Sequence, residues 1–196
     1  MERLQRAAIL LSLIERLRAE ESWCGETHVQ KATYFLRELT GAPLDLEFVL
    51  YKHGPFSFDL RDDLGAMLGD NQLALQPQQY PYGPKFVPGK RATLLKRLYA
   101  RSIEHYGARS NFVAGKLGRM NVADLERIAT ALYVTRADGA SRDRDVEARA
   151  QCMHELKRHI SLTDACAAIR QIDGIIGEFE ATAVGLSQAH SIFQAS

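Results

Sequence analysis

Apolar residues near the start of the chain recur at three- and four-residue intervals. Leu4, Ala8, Leu11, Ile14 and Leu17 predict an amphipathic helix over roughly residues 2–20. Gly25 breaks it, and Thr27 with Gln30 three residues on reads as a capping box opening a second helix. Val29, Ala32, Phe35, Leu36 and Leu39 form the buried stripe of that helix, which Gly41 and Pro43 end. Leu46 to Tyr51 alternates and is rich in strand formers, and Gly54-Pro55 is expected to stop that strand, because proline has no amide to give a ladder. Ser57 stands where an N-cap belongs, with Asp59 in the first turn of a helix whose apolar face is Leu60, Leu64, Met67 and Leu68.

Leu73-Ala74-Leu75 and Lys85-Phe86-Val87 predict a hairpin with a proline-rich tip. Beyond Pro88-Gly89 the pattern is helical, with helices over Lys90–Tyr106, Asn111–Met120, Ala123–Thr135, Arg144–His159 and Leu162–Thr182. Ser161 with Asp164 caps the last, whose stripe of Ala165, Ile169, Ile172, Ile176 and Phe179 predicts a homodimer contact. The order helix, helix, strand, helix, strand, loop, strand is close to that of a winged helix. The expected fold is mainly α (α+β), with a winged-helix-like domain over 1–89, its small β-hairpin included, and a C-terminal helical bundle over 90–196 packed on it.

Two segments carry a family resemblance. Thr27 to Leu36 contains Gln30, Lys31 and Tyr34, and Tyr51 to Ser57 contains His53, Gly54, Pro55, Phe56 and Ser57. Together they resemble the YwgA-like family of small bacterial and archaeal proteins and, more distantly, the Panacea-type domain of SocA-like antitoxins. Leu125 to Tyr133 is similar to a helix in the C-terminal half of the YwgA-like family, so the likeness spans Thr27 to Tyr133. It implies a winged-helix-like core and, from the Panacea side, toxin neutralisation by direct protein contact. The motif residues read as architectural: they cap, turn and pack.

Charge sharpens the choice of partner. The net charge of +1 gives no global pull toward nucleic acid or an anionic membrane. Locally, Asp45, Glu47, Asp59, Asp62, Asp63 and Asp70 outnumber Lys52 and Arg61 between Gly41 and Pro84, and the helix after Ser57 would repel phosphate. From Lys85 to Met120 the balance reverses. Lys85, Lys90, Arg91, Lys96, Arg97 and Arg101, with Tyr80 and Tyr82 at the hairpin tip, are the candidate nucleic-acid contacts. The competing reading is that these cations are a solvated face or pair with the acidic segment or a partner.

Catalytic and metal signals are weak. Asp59 and Asp63 share a helix side without a third ligand, and Ser57 with His53 and Asp59 lacks a nucleophile elbow. His154 and His159 lack chelating spacing, Gly115-Lys116-Leu117-Gly118 is no phosphate loop, and Cys24, Cys152 and Cys166 lie apart as reduced thiols. No catalytic residue, metal or cofactor is expected. Arg3 and Arg6 before Ala7 to Ile14 mimic a signal peptide, but Glu15, Arg16 and Arg18 follow at once, so a cytoplasmic protein without membrane association is expected. Two functions stay open: a non-enzymatic winged-helix-like regulator or adaptor binding DNA through the wing and basic helix, or a protein-binding antitoxin or defence-accessory module. A nuclease completed by remote acidic residues is a third, weaker expectation.

Overall fold

A computed structural model describes residues 1–79, 83–137 and 145–194. The chain begins with α1 (Arg3–Ala19) and α2 (Glu26–Glu38), followed by the strands β1 (Val49–Tyr51) and β2 (Gly54–Phe56). Then come α3 (Phe58–Gly69), β3 (Leu73–Gln76) and β4 (Lys85–Pro88). The remainder is helical: α4 (Ala92–Leu98), α5 (Ala100–His105), α6 (Gly107–Leu117), α7 (Val122–Arg136), α8 (Val146–Leu156) and α9 (Leu162–Gln194). The protein is thus mainly α with a small β part. Among the described residues no helix is long and apolar enough to cross a membrane.

Two compact units divide the chain, Met1–Ala129 and Thr130–Ser196. The sequence placed a boundary at residues 89/90, but α4, α5 and α6 pack on α1 and so belong with the first unit. α1 differs from expectation in kind. Every residue from Ala7 to Ile14 is buried, while Leu4, expected in the stripe, is 38% exposed. A run that is apolar but for Ser12 buries all its faces when other elements surround it, and α2, α3, α4, α5, α6 and β4 all contact α1.

β1 and β2 pair antiparallel, with Val49 opposite Phe56, Leu50 opposite Pro55 and Tyr51 opposite Gly54. Gly54-Pro55 therefore does not end a strand but forms one. Both strands of a two-stranded sheet are edges, where proline is tolerated. Gly54 has φ +83°, the left-handed region open to glycine, which lets the chain reverse through Lys52-His53. β3 pairs with β4 in a separate sheet, as expected for the second hairpin. Tyr80 and Tyr82 at its tip lie outside the described residues.

The helix expected over Lys90–Tyr106 is two short ones, α4 and α5, broken at Tyr99 (φ −117°, ψ 30°). In the second unit, Arg149 on α8 is 4% exposed and clamps Asp173 on α9 with two hydrogen bonds of 2.7 and 2.6 Å. The α9 stripe of Ala165, Ile169, Ile172 and Ile176 is buried in the single chain, and α9 packs on α8.

α2 also starts differently. Gly25 is its N-cap, and Gln30 takes no part in a capping box. Gln30 is fully buried and spans to Ser57: its Nε2 donates to the Ser57 carbonyl at 2.9 Å, and the Ser57 amide donates to its Oε1 at 2.9 Å. Next to it the buried Lys31 Nζ donates to the Pro55 carbonyl at 2.8 Å. Ser57 Oγ meanwhile accepts from the Leu60 amide at 3.2 Å, the N-cap expected from the sequence.

Two predictions follow from these buried groups. Gln30→Met leaves the buried Ser57 amide without its partner, while the Ser57 carbonyl keeps the Arg61 amide at 3.2 Å, and is expected to cost roughly 1–3 kcal/mol, read as a lower urea midpoint. His28 on α2 is 3% exposed, and burial lowers its pKa against the opposing pull of the Met120 backbone. The unfolded imidazole titrates near pH 6.5, so below that pH the unfolded chain takes up a proton the folded chain refuses. Stability should fall with acidification by up to about 1.4 kcal/mol per pH unit, and His28→Gln should flatten that slope in urea titrations from pH 7.5 to 5.

Candidate functional site

The motif residues gather at one place. Gln30 and Lys31 on α2 hold Pro55 and Ser57, and this anchors the β1–β2 hairpin and the start of α3 together. Tyr34, one helical turn on, is 2% exposed and meets Phe48 edge-on with centroids 5.1 Å apart. His53 sits at the hairpin turn, 58% exposed, with Nδ1 3.4 Å from the Glu126 carboxylate.

The alternation of the hairpin sorts its side chains onto two faces. Leu50 and Pro55 share one, with Pro55 buried. Val49, Tyr51, Gly54 and Phe56 share the other. Since Gly54 opposite Tyr51 has no side chain, the Tyr51 ring can lean across it toward Phe56, and the two centroids lie 5.7 Å apart. Phe58 at the start of α3 completes a triad, 5.8 Å from Tyr51 and 5.1 Å from Phe56. Tyr51 is 56% exposed, Phe58 51% and Val49 47%. A recess of about 170 Å³ adjoins the triad between Tyr51, His53, Phe56 and Lys31. That is below the ~300–1,000 Å³ of metabolite pockets and suits a single inserted side chain. Of the triad, Phe56 alone is a site residue expected from the sequence. Its available signal was the spacing of Tyr51, Phe56 and Phe58 around a Gly-Pro turn.

The charged residues fall into pairs and free cations. Lys96 Nζ donates to both carboxylate oxygens of Glu15, at 2.8 and 3.1 Å, so one candidate phosphate contact is an internal ion pair. Lys90, Arg91, Arg97 and Arg101 are exposed, and Lys85 is half-buried on β4. On α3, Asp59 and Asp62 are exposed, whereas Asp63 accepts from Arg6 Nε at 2.6 Å with both side chains largely buried. That contact makes Asp63 a structural partner of α1. Among the described residues no three His, Cys, Asp or Glu side chains converge as a metal site requires. Burial pushes the Cys24 thiol up to about 12, far from a reactive thiolate.

No protein-family profile matches the chain, and no curated protein matches it.

The acidic turn of α3 should therefore split in its response to truncation. Asp63→Ala takes the carboxylate from the largely buried Arg6 guanidinium, which keeps the Leu44 carbonyl at 3.2 Å, and is expected to cost roughly 2–4 kcal/mol. Asp59→Ala and Asp62→Ala should each stay within about 0.5 kcal/mol. Urea midpoints of the three variants check this.

Proposed function

We propose that the protein is a non-enzymatic protein-binding module that docks through the aromatic face of the β1–β2 hairpin, a role in keeping with the antitoxin or defence-accessory resemblance. The observation that carries the reading is the triad of Tyr51, Phe56 and Phe58, rings packed on one another, with Tyr51 and Phe58 open to water and Phe56 half-buried between them. Large aromatic side chains are the commonest anchors of protein interfaces, and a contiguous apolar patch on a folded surface marks an interaction site. Exposed Glu47, Asp59 and Asp62 surround it, against Lys52 and an Arg61 that already lies 3.7 Å from Glu26. This favours a partner segment with an apolar anchor flanked by Lys or Arg.

A second reading, a winged-helix-like regulator on DNA, draws on the exposed Lys90, Arg91, Arg97 and Arg101. Lys96, paired with Glu15, contributes less to it.

Peptide display against the intact chain tests the first reading. Selection should enrich segments with an aromatic or aliphatic anchor and basic flanks. Tyr51→Ser and Phe58→Ser should each weaken the selected peptides by about 2 kcal/mol, roughly 30-fold, without loss of fold. Peptides that bind both variants as tightly as the wild type would sink this reading. Salt-dependent binding to duplex DNA, lost on Arg97→Glu with Arg101→Glu, would favour the second.

A further inference from the structure

A second concavity shares Glu26 and Thr27 with the recess beside the aromatic triad and lies between the start of α2, the α6–α7 connection and the β3–β4 hairpin. Its volume is about 940 Å³, within the ~300–1,000 Å³ of pockets that hold drug-sized molecules. Its walls are mostly apolar: Trp23, Leu68, Leu75, Phe86 and Met120 line it, and His28 lies among them.

The site is held in shape from several sides. The Phe86 amide donates to the Cys24 carbonyl at 2.9 Å, and an Arg18 guanidinium nitrogen donates to the Phe86 carbonyl at 3.2 Å, which ties β4 to the end of α1. Glu21 and Cys24, on either side of Trp23, have φ of 62° and 52°. At Glu21 this is the usual left-handed end of a helix, with the Ser22 amide on the Leu17 carbonyl and the Glu21 amide on the Arg18 carbonyl, and at Cys24 the surrounding contacts hold it. Gly25 then gives the indole its place, since a Cβ there would stand 3.1 Å from Trp23 Cδ1.

His28 adds the polar feature. It is 3% exposed, and its Nε2 is buried without a hydrogen-bond partner. An unpaired buried nitrogen normally costs stability unless something fills the vacancy in its bonding. The charged residues of its lining are Glu21, Glu26 and Arg119, and each carboxylate has a cation beside it, Arg119 3.9 Å from Glu21 and Arg61 3.7 Å from Glu26. Neither anions nor cations are favoured inside.

We propose that this cavity binds a neutral ring-containing small molecule bearing a hydroxyl, with its ring against Trp23 and Phe86 and its hydroxyl on the His28 imidazole. A hydroxyl suits the place because it both donates and accepts, so it pairs with a neutral imidazole in either tautomer. Burial keeps His28 in that neutral form.

Trp23 is the chain's only tryptophan, so its emission reports directly on the cavity. The intact protein is titrated with N-phenyl-1-naphthylamine, a neutral apolar fluorophore, and energy transfer from Trp23 is recorded. Bound dye is then displaced by 4-tert-butylphenol and by tert-butylbenzene, which differ only in the hydroxyl. Saturable transfer at one site is expected, with the phenol about fivefold the better competitor. His28→Phe should keep dye binding and erase the preference, while His28→Gln should retain part of it. Absence of energy transfer in the folded wild type would overturn the site. Equal displacement by the two competitors would overturn the hydroxyl and the role of His28, and that result needs no variant.

Discussion

A single buried carboxamide sets the geometry on which the rest of the first unit depends. Gln30 offers a donor and an acceptor from one side chain, and Ser57 answers with its carbonyl and its amide. The contact copies a backbone ladder without a strand. Glutamate could not donate and methionine could do neither, so the chemistry of the primary amide is what the position requires. Because Ser57 is also the cap of α3, fixing it fixes three things together: the end of β2, the direction of α3 and the outward aim of Phe56 and Phe58. Lys31 reinforces the same junction through Pro55.

Around that junction the first unit is organised by α1. A helix buried on every face needs neighbours on every face, and helices from both before and after the hairpins supply them. The charges that remain near α1 are largely paired, Arg6 with Asp63 and Glu15 with Lys96. The uneven charge distribution along the sequence is therefore partly an internal match between segments distant in sequence. What is left over is an acidic fringe at the aromatic hairpin and a set of exposed cations on the later helices.

How much of this could be read from the sequence depended on the range of the interaction. Ser57 as a cap, the apolar face of α3 and the β3–β4 hairpin are local patterns, and all were legible. Gln30 was misread because its position suggested a capping box with Thr27, whereas its true partner lies 27 residues away. Pro55 after Gly54 reads as a strand breaker under a rule that holds for central strands and lapses at edges. In α1 the run from Ala7 to Ile14, apolar but for the single small Ser12, is a stronger signal than the stripe, since it leaves no charged face. The aromatic triad was hardest, because exposure of a ring is a property of what fails to cover it, and periodicity carries no record of that.

The β1–β2 hairpin has one more consequence. Each of its strands pairs on one side only, so each presents an outer row of backbone groups beside an apolar face. Those are the ingredients of unwanted strand stacking between copies at high concentration. Its surroundings counter this. The strands are three residues long, Pro55 lacks an amide, and Glu47, Lys52 and Asp59 place charge at the margins. The same short, charged and proline-marked edge that leaves room for a chosen partner acts as a gatekeeper against a crowd of identical ones.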